Sequence, residues 1–306
     1  MQYLIIDGWS IGIFLSELRT IYSAFAMGNP SPLPEPPVQY GDFTLWEQKW
    51  LNEDVLQKNL AYWQKKLANI PAPLNFLPTK QPQQSSKRGY ASSYSLDLSE
   101  SLGNAIKAFS YSQKVTNFVI FLTAVKILLF KLSGQTEVIV IGTIANRRTP
   151  IIEKMLGWFL NDLYLYSHVD NLHTGLTLLE QVQQTLSEAI AHQELPVQRL
   201  LSDINNLNLV QTVLISMTPP LPWQDEIFEL EPISMVDQGE LWDEKIHPLE
   251  LYIFSPYEDS QKIKILAYYS TNLFAHETIE QLFSGFQKIL KQLTTQPEIL
   301  ISEFEL

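Results

Sequence analysis

Apolar residues recur every three or four positions in several stretches of the chain, a spacing that predicts amphipathic helices. In the first stretch, Ile11 and Leu15 fall on one face. The helices predicted in this way cover residues 11–25, 38–50, 52–67, 101–113, 117–132, 174–191 and 276–293. Ser10, Ser99 and Thr116 each stand where a side-chain oxygen caps a helix N-terminus, so we expect helices to begin directly after them.

Other stretches alternate in polarity or are uniformly apolar, as β-strands are. The run Val138–Ile141, followed by Gly142, predicts a central strand, and Leu4–Ile6 predicts a short buried strand at the start. The remaining predicted strands cover residues 90–98, 159–169, 210–217, 226–234, 249–255 and 262–270. Helices and strands alternate along the chain, and strands dominate its last third. The expected class is therefore α/β with mixed sheets.

Proline-rich segments predict the domain organisation. The segment 30–37 is too rich in proline for a helix and predicts an extended tether. Residues 71–89 combine proline, glutamine and serine without an apolar period, which indicates a linker. We therefore expect an N-terminal unit over residues 1–70, this linker, and a second unit over residues 90–306.

Composition excludes several classes of function. The net charge of −12 argues against nucleic acid or an anionic membrane as a partner. The absence of cysteine removes thiol nucleophiles, disulfides and thiolate metal sites. The most apolar run, 118–132, is short and contains Lys126 and Lys131, so it predicts a core helix rather than a membrane span. No leader pattern follows Met1, and we expect a cytoplasmic protein.

Motifs for common chemistry do not occur. The five histidines are scattered without metal-ligand spacing, so we expect no metal site. Glycine-rich phosphate loops and the GxSxG nucleophile elbow are also missing. Residue chemistry alone therefore reaches no further than an α/β protein.

The opening segment, residues 1–10, supplies the first family resemblance. Its sequence MQYLIIDGWS resembles the HHxxxDGxS motif of condensation domains of nonribosomal peptide synthetases, relatives of chloramphenicol acetyltransferase. Asp7 and Gly8 match the motif, whereas Gln2 and Tyr3 stand at its two histidine positions.

Further segments resemble the same family in the family's order. YGDFTLWE at 40–47 is similar to YxDFAxWQ, and GTIANR at 142–147 is similar to GxPxANR. IEKMLGWFLN at 152–161 is similar to IExxIGFFVNT, with Asp162 where threonine is usual. HQELPV at 192–197 is similar to HQDVPFE, and NLVQTV at 208–213 is a looser match to NPLFQVxF. The combination is specific and extends over the chain.

This resemblance implies a fold, partners and site residues. The fold is a chloramphenicol acetyltransferase-like pair of lobes, here with an incomplete N-terminal lobe. Carrier proteins and neighbouring synthetase modules are the implied partners; the carrier proteins bring phosphopantetheine, and no intrinsic cofactor is expected. The family joins a thioester donor to an amine acceptor. The implied roles are Tyr3 at the catalytic histidine position, Gln2 at the preceding one, Asp7 with Gly8 as the structural acid and its neighbour, and Trp9, Ser10, Asn146, Arg147, Phe159 and Asn161 as tunnel or substrate-side residues.

Two departures from the family pattern predict impaired activity. A tyrosine phenol, with an ordinary pKa near 10, is a poor base at neutral pH. The family places its motif about a third of the way along the domain, so we expect an N-terminal truncation that removes the usual arginine partner of Asp7. For Arg147 and Arg148, contact with a phosphopantetheine phosphate and a solvated turn remain open alternatives.

Three functional hypotheses follow. The leading one is a degenerate condensation domain that is inactive as this chain. In the second, an upstream polypeptide supplies the missing lobe and a modified condensation enzyme results. In the third, the chain is a non-catalytic docking module for a carrier protein or a tailoring enzyme.

Overall fold

The computed structural model describes residues 5–68, 91–204, 213–218, 247–254, 263–271 and 273–306. Its helices are α1 (Gly8–Ala26), α2 (Tyr40–Trp50), α3 (Glu53–Lys66), α4 (Glu100–Gln113), α5 (Asn117–Ser133), α6 (Pro150–Glu153), α7 (Gly175–Ala191), α8 (Val197–Ile204) and α9 (His276–Thr295). Its strands are β1 (Ala91–Asp97), β2 (Glu137–Ile144), β3 (Asn161–His168), β4 (Val213–Thr218), β5 (Leu249–Phe254) and β6 (Lys264–Ser270). A short 3-10 turn follows at Ile301–Glu303.

The strands form one mixed sheet in the order β1-β6-β5-β4-β2-β3. Strands β2, β4 and β5 run parallel to one another, while β1, β6 and β3 pair in the antiparallel sense with their neighbours. The α/β class and the mixed sheet expected from the sequence are therefore confirmed. Because β2, β4 and β5 are parallel, their carboxyl ends meet at one edge of the sheet.

The helices cover one face of the sheet, and β2 is buried on both faces from Val138 to Ile141. Helices α5, α7 and α9 contact β2, β3 and β1, and α4 packs against α5 and α9. Every residue of α5 from Val119 to Phe130 is buried, so the prediction of a core helix is confirmed. No single described helix is long and apolar enough to cross a membrane; α4 and α5 satisfy the length and composition criteria only together, bent by 106° at the break between them.

Local signals fixed most helix boundaries. Ser99 accepts a hydrogen bond from the Leu102 amide and Thr116 from the Val119 amide, so both predicted caps are confirmed. Short helices α6 and α8 were not predicted, because four and eight residues are too few to show a helical period. The predicted strand at 226–234 lies outside the described residues.

Of the three N-terminal helices, α3 shares the core of the sheet. Leu60, Trp63 and Leu67 belong to the same buried cluster as the strands. The Trp63 indole donates to the carbonyl oxygen of His192 at 3.0 Å, and Lys66 pairs with Glu188 at 2.9 Å. Helix α3 is thus attached to the C-terminal end of α7. The division into residues 1–70, a linker at 71–89 and residues 90–306 stays a prediction, since the whole linker lies outside the described ranges.

Candidate functional site

The carboxylate of Asp7 caps helix α1. Helix α1 begins at Gly8, and Oδ1 of Asp7 accepts a hydrogen bond from the Ser10 amide at 2.8 Å. The prediction that Ser10 caps this helix is therefore wrong, because the helix begins at Gly8, three residues before the first residue of the apolar period. The strand predicted at residues 4–6 is also wrong where it is described. Ile5 lies in a turn and is 70% exposed, whereas Ile6 is buried.

A buried ion pair joins Asp7 to Arg147. One terminal nitrogen of the guanidinium lies 2.9 Å from Oδ1 of Asp7, and the two side chains are 1% and 0% exposed for Arg147 and Asp7, respectively. The expectation that Asp7 has lost its arginine partner is therefore wrong. The partner lies 140 residues further along the chain, just beyond the end of β2. Burial lowers the pKa of Arg147 and Asp7 raises it, yet a guanidinium stays protonated at neutral pH.

Arg147 also organises the segment around α6. Its second terminal nitrogen donates to the carbonyl oxygens of Ile152 at 2.6 Å and Met155 at 2.7 Å. The first donates to the Ser10 hydroxyl at 2.6 Å. The guanidinium carbon lies 4.4 Å from the ring centre of Phe159. Contact between Arg147 and a phosphate would require breaking these internal bonds, so the structure favours neither a phosphate contact nor a solvated turn for this residue.

The side chain of Arg148 has different partners from that of Arg147. Asn146 has a positive φ of 51°, a left-handed conformation that asparagine tolerates better than most residues. Its side-chain oxygen accepts from Nε of Arg148 at 3.2 Å, and Arg148 pairs with Glu194 at 2.5 Å. The side chain of Arg148 is 35% exposed. The turn after β2 therefore separates a buried arginine from a partly exposed one.

The segment Gly157–Phe159 closes the other side of Asp7. The Phe159 amide donates to Oδ2 of Asp7 at 3.1 Å, and the Asp7 amide donates to the Gly157 carbonyl at 3.2 Å. The Ser10 hydroxyl donates to the same carbonyl at 2.8 Å and accepts from the Gly157 amide at 3.1 Å. Asp7 thus uses both carboxylate oxygens, and the start of α1 is fixed to the approach to β3.

Tyr40 of helix α2 supports this segment from behind. Its hydroxyl donates to the Trp158 carbonyl at 2.6 Å, and its ring meets Phe159 edge-on at 5.2 Å. A Cβ placed on Gly157 would lie 2.2 Å from a ring carbon of Tyr40, so only glycine fits there. Burial raises the pKa of Tyr40, which keeps the hydroxyl protonated and able to donate. Sequence reasoning gave Tyr40 and Gly157 no role; the tyrosine of the 40–47 segment and the glycine of the 152–161 segment were the available signals.

The remaining predicted substrate-side residues occupy two kinds of position. Trp9 is half-buried, and its indole donates to the Glu153 carbonyl at 3.0 Å. Phe159 is 3% exposed. Asn161 is buried and donates to the carbonyl oxygens of Gln193 at 2.8 Å and Leu195 at 3.0 Å, so it fixes the loop after α7. Their assignment to the substrate side stays a prediction, as does that of Ser10, Asn146 and Arg147. Gln2 and Tyr3 lie outside the described residues.

A comparison with protein-family models identifies the family. The model of the Condensation domain family matches residues 3–306. This chain belongs to the condensation-domain family. A polypeptide of the linear gramicidin synthase of Brevibacillus parabrevis is 31% identical over 316 residues, which cover 100% of this chain and 4% of the relative. Malpinin synthetase of Mortierella alpina is 31% identical over 309 residues, covering 100% of this chain and 4% of the relative.

Solved structures show that this condensation domain shares its fold with others. The X-domain from teicoplanin biosynthesis superposes with a TM-score of 0.81 at 19% identity, covering 100% of this chain and 70% of that structure. The first condensation domain of the CDA synthetase gives a TM-score of 0.80 at 16% identity, covering 99% and 65%. The condensation domain described here thus spans a small part of its curated relatives and about two thirds of these solved chains.

Proposed function

We propose that this condensation domain belongs to a nonribosomal peptide synthetase and that its amide-forming activity is strongly impaired. The family reaction would join a carrier-bound thioester donor to the amine of a carrier-bound acceptor, both held on phosphopantetheine arms. Family membership over residues 3–306, together with the buried Asp7–Arg147 pair next to the motif, supports this assignment. Carrier proteins and neighbouring modules are the partners that it requires.

The proposed impairment depends on the residues at the histidine positions. Imidazole titrates near neutral pH and can accept or orient a proton from an attacking amine. Tyr3 offers a phenol with an ordinary pKa near 10, and Gln2 has no titratable group. The Asp7–Arg147 network keeps the start of α1 in place, so the loss would be one of proton transfer rather than of loop shape.

An amide-formation assay tests this function. The protein is incubated with donor- and acceptor-loaded carrier proteins, and product is followed by mass spectrometry. We expect little product from the wild-type chain and a gain of at least tenfold from the double variant Gln2→His, Tyr3→His. Tyr111→His, at a 75% exposed tyrosine of α4, is the matched control and should change nothing. Abundant wild-type product that disappears in Tyr3→Phe would contradict the impairment, and failure of every variant would contradict the family reaction.

Non-catalytic docking is a second candidate. One observation favours it: a structure of the X-domain in complex with OxyB from teicoplanin biosynthesis shares this fold with a TM-score of 0.80 at 19% identity. A domain of this fold can therefore bind another protein. Pulldown of the purified chain with carrier proteins and with tailoring enzymes encoded nearby should recover one of them; recovery of none argues against docking.

A further inference from the structure

The two faces of the sheet differ in what covers them. On the helix-covered face, Val140, Ile215 and Leu251 are at most 2% exposed. Helix α5 lies on this face, since Phe118 approaches Gly142 and Lys126 bonds to Leu165 and Ser167. Along β5 and β6, the residues of the opposite face are half-buried or exposed while their neighbours are buried. On β2, β3 and β4 the same face is buried at Ile141, Tyr164 and Leu214, whereas Thr143, Asp162 and Ser216 are half-buried. A ligand can therefore contact strand side chains of this opposite face, hereafter called the outer face, along β5 and β6 and at the edge that carries these three half-buried residues.

Polar side chains cross the outer face in one row. Thr143 of β2 is in register with Asp162 of β3 on one side and with Ser216 of β4 on the other, and Ser216 is in register with Tyr252 of β5. Side chains in register on neighbouring strands point to the same face, and the strands lie about 4.8 Å apart. The four side chains therefore form a continuous polar row.

This row lies at the ligand-binding edge of the sheet. Thr143 is one residue from the end of β2 and Ser216 is two residues from the end of β4, both of which run in the same direction. In open α/β sheets, ligands bind beyond the carboxyl ends of parallel strands. Asp162 is the second residue of the return strand β3 at that edge, three residues after Phe159, whose amide donates to Asp7. The row and the Asp7 site therefore share one edge of the sheet.

Asp162 gives the row a negative charge. The Thr143 hydroxyl donates to its Oδ1 at 2.7 Å, and among the described residues Thr143 is the single hydrogen-bond donor to this carboxylate. An ionised carboxylate has two oxygens and accepts several hydrogen bonds. Burial raises the pKa of Asp162 and the nearby Glu250 raises it further, whereas Thr143 and His247 lower it. A cation bound here would therefore use the remaining capacity of the Asp162 carboxylate to accept hydrogen bonds. It would also offset the free-energy cost of burying the negative charge of Asp162.

We propose that Asp162, with Thr143 and Ser216 beside it, forms a subsite for the ammonium or guanidinium group of a basic amino-acid side chain in one of the two substrates. This inference rests on the proposed function, which supplies the substrates. A hydrogen bond to a charged group stabilises binding enough that a charged side chain should bind about ten- to hundredfold more tightly than an uncharged one of the same length. Asp162 would act in specificity and not in the chemical step.

Binding of pantetheine amides tests the subsite. Lysyl and norleucyl amides of aminopantetheine, in which an amine replaces the thiol, are compared by isothermal titration calorimetry. Each is used with a free α-amine to mimic the acceptor and with an acetylated one to mimic the donor. We expect the wild-type chain to prefer lysyl over norleucyl about tenfold in one of the two series, which identifies the substrate concerned. Asp162→Asn removes the negative charge, so it should abolish this preference. It keeps an oxygen that accepts the hydrogen bond from Thr143, so norleucyl binding should be unchanged.

Controls separate the subsite from a structural role and from the proposed function. Asp97→Asn removes an exposed aspartate from the same face of the sheet, on β1, and should not alter the preference. Equal weakening of lysyl and norleucyl binding in Asp162→Asn would overturn the subsite in favour of a structural role. Weakening confined to all free-amine ligands would overturn it in favour of α-amine recognition. Equal wild-type affinity for both side chains refutes the subsite alone, whereas no binding of any amide refutes the proposed function as well.

Discussion

Lys126 provides a quantitative test of the core, because its amino group lies where water does not reach. The residue is 0% exposed on α5, and its Nζ donates to the Leu165 carbonyl at 2.5 Å and to the Ser167 hydroxyl at 2.9 Å. Burial lowers the pKa of Lys126 from 10.5 to about 7, and the positive charge of Lys66 contributes a smaller decrease. Close to neutral pH, the folded protein therefore holds a substantial fraction of this lysine uncharged.

The sign of the effect on stability follows from proton linkage. Between the folded pKa of about 7 and the unfolded value of 10.5, the unfolded chain binds one proton more at Lys126 than the folded chain does. The free energy of unfolding therefore rises with pH across this window, by about 5 kcal/mol in total. Below the folded pKa both states are charged at this site, and the full cost of the buried charge remains.

The assay compares Lys126→Met with the wild-type chain. Urea unfolding is followed by tryptophan fluorescence at several pH values, and the difference between the two free energies of unfolding is taken at each pH. Ionisation of tyrosines in the unfolded state affects both proteins equally and cancels in this difference. Relative to Lys126→Met, the wild-type chain should gain about 3 kcal/mol between roughly pH 7.5 and 9.5.

Lys131→Met is the matched control for this experiment. Lys131 lies on the same helix, but its Nζ reaches the Ser302 carbonyl at an exposed position. The pH dependence measured for Lys126→Met is read against the pH dependence measured for this variant. If the stability curves of the wild-type chain and Lys126→Met run parallel through the same window, the lysine keeps an ordinary pKa and the reasoning from burial is refuted.

Two further predictions concern the loop around Asp7. Arg147→Met leaves a buried carboxylate without its cation and should lower the free energy of unfolding by about 3–5 kcal/mol, as measured by urea titration. Asp7→Asn combined with Arg147→Met should lose less than the sum of the single variants; strict additivity would contradict a direct pair. Gly157→Ala brings a Cβ to within 2.2 Å of Tyr40 and should cost about 1–3 kcal/mol. Gly41→Ala, where nothing lies within 4 Å, is its control, and equal stability of the two variants would contradict the close contact.

Local sequence signals were sufficient for most elements of this domain. The apolar period of α5 and its Thr116 cap, or the uniformly apolar run of β2, depend on neighbours a few residues away. These signals come from residues that are close in the sequence and need no tertiary contact, so the spacing of apolar residues is enough to identify the element. The family could be recognised for a related reason, because its short segments keep their order along the chain.

The beginning of the chain shows where local signals fail. The apolar residues at 4–6 resemble a strand, yet Ile5 is exposed in a turn and the helix starts at Gly8. Nothing in the local pattern indicates that Asp7 rather than Ser10 caps this helix, since both are good capping residues. The Gly157–Phe159 segment decides between them, because it bonds to the carboxylate of Asp7 and to the hydroxyl of Ser10.

By itself, the sequence determined the class of fold, most helices and strands, and the family, because periodicity and motif order are properties of the chain. Only the tertiary structure decided which arginine neutralises Asp7 and which side chains stand beside Asp162. Arg147 lies 140 residues from Asp7, and the polar row on the outer face joins residues from four strands. Such contacts depend on strand register and on the direction in which each strand enters the sheet, and these are set only when distant segments pack together.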